Sequence, residues 1–549
     1  MSLPAFLLLV ATLVQLVVPI VGASERWWEL IWLVIFGLAG WQLWHDALLP
    51  SMMPIYLLLV IMCFIFLIRR YLQWGNNVAS QRRLWSSVIA MLLSLPLLAI
   101  PVVEATVLPF DGFDYRQDGW VEGFDGMHAT LQKRYAFGKW KQINWDELYA
   151  RHYPQVVAAA QAGDEKAYYV ALRGYVFGLS DGHVGIDGEV HGAVETAVIG
   201  GDFGFALLKL DDGRVIAQIV DPHGAASRAG MAWGAEILTW NGLPIHEAVA
   251  SVSPVWASRP PATAQNLSLT QHQLLTRAPV GAEIAITFRN QDERQTESTT
   301  LKATNDRFKT YRESVHWQMA GPPSDSVDAM LLDDGIGYIR IAALEPTSQG
   351  LDPVDAMEQM MQQMVADGVQ ALVLDVRGNR GGLDTLVPAM MGYFAPTRLY
   401  YEGITVYNPL LQEFSRLFSL HVDPNDLQFT NPVVVLVDHR TKSSGEGFGL
   451  IAKALPNATV IGMYGTDGSF GMSSSSIMLP TGIEVIYPWG QSVDQNGVVQ
   501  VDGDAQLVGG VHPDSRVPLS LETARAIYLD GEDVVFDFAL EHVQRQLGK

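Results

Sequence analysis

Short apolar runs alternate with amphipathic segments between residues 335 and 463. The runs at 335–344, 369–378, 431–440 and 457–463 are typical of strands, and helical patterns occupy 353–368, 384–394 and 445–456. Strands that are apolar on both faces and alternate with helices predict a largely parallel α/β sheet. In such a sheet the loops at the carboxyl ends of the strands hold the functional residues.

A chain of 549 residues predicts roughly three or four domains. The first of these differs sharply in composition from the rest. Apolar segments run from 3 to 21, 28 to 44, 52 to 68 and 84 to 103. Each is close to the ~20 residues that cross a bilayer as a helix. We therefore expect four transmembrane helices in residues 1–104. A signal peptide is the competing interpretation of the first segment, but the basic start of such a peptide is missing, because the first charged residue is Glu25.

Basic residues predict the orientation of these helices. Arg69, Arg70, Arg82 and Arg83 lie between the third and fourth apolar segments. The positive-inside rule places this loop in the cytoplasm. Residues 105–549 then lie outside the cytoplasm, and we expect a multi-pass protein of the bacterial inner membrane with a periplasmic domain and lipid contacts through its N-terminal helices.

Charge and cysteine content exclude several kinds of site. The formal net charge is −22, which argues against nucleic acid as a partner because both would be anionic. The single cysteine is Cys63, within the third apolar segment. Residues 105–549 therefore contain no disulfide, zinc–thiolate site or cysteine nucleophile. No metal or organic cofactor is implied, and the oligomeric state stays open.

A helical subdomain is predicted for residues 105–195. Segments 120–137, 143–161 and 165–179 show apolar residues at three- and four-residue spacing. Asn144 is a candidate N-cap for the second helix. The subdomain ends in the sequence SDGHVGI, which presents His183 beside two glycines. An imidazole in such a turn is a candidate general base, although a loop histidine is often only a surface residue.

The region from 196 to 303 is predicted to be β-rich, because short β-type runs alternate there with Gly, Asp and Pro. Its order, GGDFGFALL followed by IAQIVDPHGAASRAGMAWGAEILTWNGLPI, resembles a PDZ domain. The resemblance implies a peptide-binding loop at Phe203, Gly204 and Phe205, with the peptide added alongside as a strand. A β-rich spacer without a ligand is the alternative.

Two adjacent serines follow the strand predicted at 431–440, in the sequence TKSSGEGF. A strand-to-helix turn can expose a serine hydroxyl beside backbone N–H groups of the helix start, which suits a nucleophile. Ser443 and Glu446 also have the spacing of a helix capping box. The sequence allows both interpretations.

A glycine-rich turn, DVRGNRGG, follows the strand predicted at 369–378. Together with the Asp-Gly-His turn, the PDZ-like insert, the TKSSGE motif with its following ATVIG, and the closing GGVHPDSRV, it gives residues 111–516 a resemblance to the C-terminal processing (tail-specific) serine peptidases. The similarity is to the branch that includes the tricorn core and retinoid-binding-protein-like repeats. It implies that residues 304–549 are the α/β peptidase core.

The resemblance also implies roles for individual residues. Ser443 would be the nucleophile, and the N–H of Ser444 with an N–H from Gly381 or Gly382 would form the oxyanion hole. His183 would be the general base. A preformed donor pair of this kind stabilises the charge on the carbonyl oxygen, and a base is needed because a serine hydroxyl alone is a weak nucleophile.

A second branch of the family uses a lysine base, and the sequence argues against it. The turn that would carry this lysine, YGTDGSFGMSS at 464–474, contains none. Lys442 is expected to project away from Ser443, and Lys453 is expected to be solvated on the following helix. We therefore predict a Ser/His mechanism.

One departure from the family pattern concerns a supporting carboxylate. The family often has a glutamate a few residues before its G-V-x-P-D motif, where this chain has Leu507. Asp504, Asp502 or Glu484 could substitute, and Asp504 is included among the predicted site residues. The sequence thus predicts a membrane-anchored extracytoplasmic serine endopeptidase that acts on a polypeptide, with the substrate's C-terminus as a candidate recognition element. The alternative is a noncatalytic, PDZ-bearing peptide-binding or sensory protein.

Overall fold

The structure is a computed structural model that describes residues 113–291, 293–315, 325–408, 411–472 and 475–548. The four predicted membrane helices lie outside these residues. Among the helices that the structure describes, none is both long enough and apolar enough to span a membrane. Residues from Phe113 to Thr405 and from Phe414 onward form one compact unit.

The strands and helices are numbered along the described chain. The strands are β1 (Phe113–Asp114), β2 (Gly185–Asp187), β3 (Gly201–Asp202), β4 (Phe205–Lys209), β5 (Val215–Val220), β6 (Glu236–Trp240), β7 (Leu243–Pro244), β8 (Arg277–Ala278), β9 (Glu283–Arg289), β10 (Glu297–Lys302), β11 (Thr304–Asn305), β12 (Val327–Leu331), β13 (Ile336–Ile341), β14 (Ala371–Asp375), β15 (Leu399–Asn408), β16 (Glu413–Val422), β17 (Val433–Leu436), β18 (Ala458–Gly462), β19 (Ser475–Met478), β20 (Glu484–Tyr487), β21 (Gly490–Val493) and β22 (Ser515–Arg516). The α-helices are α1 (Trp120–Arg134), α2 (Trp145–Ala162), α3 (Glu165–Phe177), α4 (His191–Ile199), α5 (Ala225–Arg228), α6 (Ile245–Ala250), α7 (Ala264–Leu275), α8 (Lys309–Val315), α9 (Pro353–Ala366), α10 (Leu386–Met391), α11 (Ser444–Ala452), α12 (Leu521–Arg525) and α13 (Val534–Gln546).

A six-stranded sheet forms the centre of the α/β part, in the order β12-β13-β14-β17-β18-β22. All neighbouring pairs from β13 to β22 are parallel, and only the edge strand β12 is antiparallel. Side chains of α9, α10 and α11 belong to one buried cluster with this sheet, and side chains of α13 belong to a second cluster. The predicted parallel α/β core is therefore confirmed, and its β14 and β17 loops leave from neighbouring strand ends.

Three helices precede this core, at the positions that the helical spacing predicts. The side chain of Asn144 accepts a hydrogen bond from the Glu147 N–H (3.2 Å), so it caps α2 as expected. The sheet β1-β19-β20-β2 joins this helical part to the core, because β1 and β2 come from the N-terminal side and β19 and β20 from the C-terminal side. The turn that carries His183 lies immediately before β2.

An antiparallel sheet in the order β10-β9-β6-β5-β4 occupies most of the predicted β-rich region. Its apolar face is buried in a cluster of its own, which includes Phe203, Phe205 and Trp240. Strand β4 is at the edge of this sheet. Strand β11 pairs with β3, so residues just beyond 303 pack on this region rather than on the parallel sheet.

Arg277 is a buried cation that bridges the start of the β-rich region to the residues just beyond 303. Its guanidinium lies 3.2 Å from a carboxylate oxygen of Asp202 and 3.0 Å from one of Asp306, and its side chain is 0 % exposed. We expect Arg277→Met to lower the free energy of unfolding by about 3–5 kcal/mol, because both carboxylates would lose their buried partner.

The matched control is Lys302→Met, which breaks an exposed ion pair with Glu283. It should cost at most about 1 kcal/mol. Urea unfolding followed by circular dichroism measures both. Equal small losses for the two variants would contradict the structural role of Arg277.

Candidate active site

Ser443 lies at the turn between strand β17 and helix α11. Its backbone has φ +55° and ψ −141°, a conformation that residues other than glycine rarely adopt. Its N–H donates to the Ser469 carbonyl (2.9 Å), and its hydroxyl makes no capping bond to the helix. A serine in such a turn presents its hydroxyl at the carboxyl end of the sheet.

Glu446 does not complete a capping box, which corrects the alternative interpretation of the TKSSGE motif. Its carboxylate accepts hydrogen bonds from the N–H groups of Gly468 and Ser469 (both 2.9 Å) and from the Thr466 hydroxyl. Burial and, to a lesser extent, the nearby Asp467 carboxylate raise the pKa of Glu446 to about 8. Glu446 therefore fixes the turn at 466–469 against the start of α11.

The glycine-rich turn after β14 lies directly against the two serines. A Cβ placed on Gly381 would be 2.6 Å from the Ser443 Cβ and 2.8 Å from the Ser444 nitrogen. The Gly381 N–H already donates to the Asn379 side-chain oxygen (2.8 Å). Among the described residues, the N–H groups of Gly382 and Ser444 have no acceptor. Gly381 and Gly382 are the two candidate donors of the oxyanion hole, and Gly382 is therefore the one whose N–H is free to donate to an oxyanion.

The Ser444 hydroxyl, unlike the Ser444 N–H, is already bonded within the chain. It donates to the Gly382 carbonyl (2.9 Å) and lies against the Asp384 carboxyl. Ser444 is fully buried. Its side chain thus links the start of α11 to the glycine-rich turn, while its N–H stays unused.

His183 is held in its turn from two sides. Its N–H donates to Asp181 (2.8 Å), whose other carboxylate oxygen accepts from the Tyr135 hydroxyl (2.7 Å). The Gly182 N–H donates to the Ser469 hydroxyl (3.0 Å). The imidazole itself is 7 % exposed, and its Nδ1 has no partner among the described residues.

Lys442 does not project away from the site, contrary to the expectation from its position next to Ser443. Its ammonium donates to the Gly182 carbonyl. Burial lowers the pKa of Lys442, while the Asp467 carboxylate opposes this shift. Burial also lowers the pKa of His183 well below its ordinary value, and the charges of Lys442 and Arg259 lower it further. The imidazole is consequently neutral, the form that can accept a proton.

A cavity of about 1110 Å³ brings these groups together. His183, Ser443, Gly381, Gly382 and Lys442 all line it. The wall continues along edge strand β4, through residues 207–209, and along helix α7, which packs beside β4. The predicted nucleophile and the predicted base therefore face one space, and that space extends to an unpaired sheet edge.

Two groups of predicted residues lie elsewhere. Asp504 does not line the cavity. Its carboxylate accepts hydrogen bonds from the N–H groups of Gln506 (2.8 Å) and Val508 (3.0 Å) in a local turn. Phe203 and Phe205 have buried side chains, and the Gly204 N–H donates to Asp202 (2.5 Å). The Gly204 N–H is thus occupied within the chain.

Asp467 is a site residue that the sequence interpretation missed. Its Oδ1 accepts from Asn266 on α7 (2.8 Å), and its Oδ2 lies beside the Gly182 backbone. Burial raises the pKa of Asp467, whereas Lys442 lowers it. A signal existed, because the turn at 464–471 follows β18 and so lies next to the loop after β17.

Comparison with known proteins adds the family. Residues 335–517 match peptidase family S41. This segment is an S41 domain. Mature CPAF in complex with lactacystin is 16% identical, with a TM-score of 0.54, over 78% of this chain and 98% of that chain. Mature CPAF alone is 15% identical, with a TM-score of 0.53, over 76% of this chain and 95% of that chain. The photosystem II D1 C-terminal processing protease is 18% identical over 76% of this chain and 98% of that chain, with a TM-score of 0.35.

The S41 domain contains Gly381, Gly382, Ser443 and Ser444, and it makes the chain a serine peptidase. It also supports the resemblance to the C-terminal processing peptidases. The CPAF structures share the fold over most of both chains, including the part that precedes the S41 domain.

Proposed function

We propose that this protein is an endopeptidase that cleaves polypeptides through a Ser443 acyl-enzyme, with His183 as the general base. The observation that carries the proposal is that one cavity is lined both by Ser443, which is half-buried and has a strained backbone, and by His183, whose imidazole Nδ1 has no partner among the described residues. Backbone strain of this kind is typical of functional sites.

The geometry supports the following sequence of events. His183 takes the hydroxyl proton as the Ser443 oxygen attacks the peptide carbonyl, and later gives that proton to the leaving amine. The N–H groups of Ser444 and Gly382 donate to the oxyanion. Water then attacks the acyl-enzyme with His183 again as base, which releases the second product and restores the serine.

Lys442 distinguishes this mechanism from a Ser/Lys mechanism. We expect Lys442→Met to raise the pKa of His183, because removing a nearby positive charge favours the protonated imidazole. On lowering the pH, His183 would then become protonated, and so lose its base form, at a higher pH than in the unmutated protein. The acid limb of the kcat/KM profile should therefore shift to higher pH, while hydrolysis is retained. A pH profile of both proteins measures this shift.

Lys453→Met is the matched control, because Lys453 pairs with Asp514 at the C-terminal end of α11 and does not line the cavity. It should leave the acid limb in place. Complete loss of hydrolysis by Lys442→Met at every pH would instead make Lys442 the base.

We also propose that the substrate binds as an added strand on β4. Among the described residues this strand pairs only with β5, helices α7 and α8 pack against it, and its residues 207–209 line the cavity that holds Ser443. A sheet edge without a pairing strand can accept an extended peptide as an added strand. A C-terminal preference would appear as weaker binding of a fluorescent peptide after its terminus is amidated.

Membrane anchoring through residues 1–104 remains part of the proposal. It is supported by the four apolar segments and by the placement of their arginines. Cys63→Ser followed by Glu165→Cys gives a single thiol in the described part of the chain. Labelling of intact spheroplasts by an impermeant maleimide would support an extracytoplasmic domain, and labelling only after lysis would contradict it.

Hydrolysis of an unstructured protein by the full chain in detergent tests the function itself. We expect turnover by the unmutated protein and loss of turnover for Ser443→Ala and for His183→Ala. Peptide binding without turnover by the unmutated protein would favour the noncatalytic receptor instead.

A further inference from the structure

Two arginines line the cavity that holds Ser443. Arg380 directly precedes Gly381 in the glycine-rich turn, and Arg259 comes from the segment before α7. Arg259 packs into the Asp-Gly-His turn, because a Cβ on Gly185 would lie 1.3 Å from its Nη1. Only a glycine at position 185 leaves room for this guanidinium.

Neither arginine has a carboxylate partner within 4.0 Å among the described residues. Other arginines of the same region do: Arg440 pairs with Asp438 and Arg516 pairs with Asp211, both at 2.7 Å. Burial lowers the pKa of Arg259, and the charges of Arg173 and Arg380 lower it too, while Asp187 opposes the shift. The two guanidiniums thus lie close enough to repel each other, and the carboxylate of Asp187 offsets this repulsion only from beyond ion-pair distance.

The cavity wall reverses the charge balance of the whole chain. The chain has 36 basic and 58 acidic residues. The cavity wall has seven basic residues and three acidic ones. The basic residues are Lys209, Arg259, Arg312, Arg380, Arg440, Lys442 and Arg516, and the acidic residues are Asp211, Glu345 and Asp467. Screening confines the field of distant surface charges to about 8 Å in physiological salt, so the wall determines what the site attracts.

We propose that Arg259 and Arg380 together bind an acidic side chain of the substrate close to the scissile bond. This selectivity rests on the proposed peptidase function. Guanidinium groups match carboxylates in shape and donate two parallel hydrogen bonds. Arg380 belongs to the turn that offers the Gly382 N–H, and the guanidinium of Arg259 packs against Gly185, next to the turn that carries His183. A carboxylate between them would fix the peptide at the point where Ser443 attacks.

The test uses the full chain and internally quenched peptides. Cleavage sites are first mapped by mass spectrometry on an unstructured protein. The position that carries Asp or Glu most often is then varied in a matched set with Glu, Gln or Lys, each with a free and an amidated C-terminus. We expect kcat/KM for Glu to exceed that for Gln by about 10- to 100-fold, the size of one to two charge-assisted hydrogen bonds.

Variants assign this preference to the two arginines. The double variant Arg259→Gln, Arg380→Gln should cut the Glu and Gln peptides at similar rates, measured on the pH plateau because Arg259 also affects His183. Arg516→Gln, which lies on the same wall but pairs with Asp211, should keep the preference.

The outcomes separate this inference from the proposed function. Equal cleavage of the Glu, Gln and Lys peptides by the unmutated protein would overturn the selectivity and leave the peptidase intact. A preference that follows the free C-terminus would assign the carboxylate to the chain end and overturn the side-chain proposal. Failure to cut any peptide would overturn the proposed function and this inference with it.

Discussion

Ser443→Ala is expected to lower kcat/KM for peptide hydrolysis by about 10⁴-fold or more, because no other group can form the acyl-enzyme. Ser443 is the serine with the strained backbone and the cavity-facing position. The loss should appear in kcat, with little change in the melting temperature, since the Ser443 hydroxyl makes no structural hydrogen bond among the described residues.

Ser444→Ala is the matched control for the adjacent hydroxyl. That hydroxyl is bonded to the Gly382 carbonyl and lies against Asp384. Its loss loosens the glycine-rich turn without removing a nucleophile, so measurable hydrolysis should remain. Near-complete loss in Ser444→Ala with activity retained in Ser443→Ala would exchange the roles of the two serines.

Gly381→Ala is expected to lower kcat by about 10²- to 10³-fold, the typical effect of losing one oxyanion donor. Gly381 has φ +90°, and an added Cβ would lie 2.6 Å from the Ser443 Cβ and 2.8 Å from the Ser444 nitrogen. These neighbours are near or in the backbone, so the turn must move and displace the donor pair. Steady-state kinetics on one quenched peptide measures the effect.

Gly350→Ala separates this displacement from simple backbone strain. Gly350 also has a positive φ, +78°, but an added Cβ would meet no atom within 4 Å. It should cost about 1–3 kcal/mol of stability and leave kcat near its unmutated value. Equal kcat losses in both variants would show that Gly381 acts only through stability.

The parallel sheet could be predicted from sequence because its signal is local. The runs at 336–341, 371–375, 433–436 and 458–462 are short, apolar and separated by helical patterns. The long strands β15 and β16 were missed. They lie between 394 and 431, where polar residues interrupt the apolar ones, and the Asn-Pro dipeptide at 408–409, a turn signal, was not used.

The site was predicted as far as motifs at strand ends allow. Ser443 and Gly382 line the cavity as the loops after β14 and β17 imply, and His183 lines it from the turn before β2. Lys442 was placed wrongly, because the direction of its side chain depends on a φ of +55° at the next residue. Asp467 was missed because its partners, Asn266 and Lys442, are distant from it in the chain and only tertiary packing brings them together.

The central claim is that Ser443 is an activated nucleophile in the folded protein. A fluorophosphonate probe, applied to the full chain in detergent and followed by peptide mass spectrometry, tests it most directly. The account predicts one adduct, on Ser443, that is absent in Ser443→Ala and strongly slowed in His183→Ala. An adduct on Ser444 or elsewhere, or no adduct on folded protein, would contradict it.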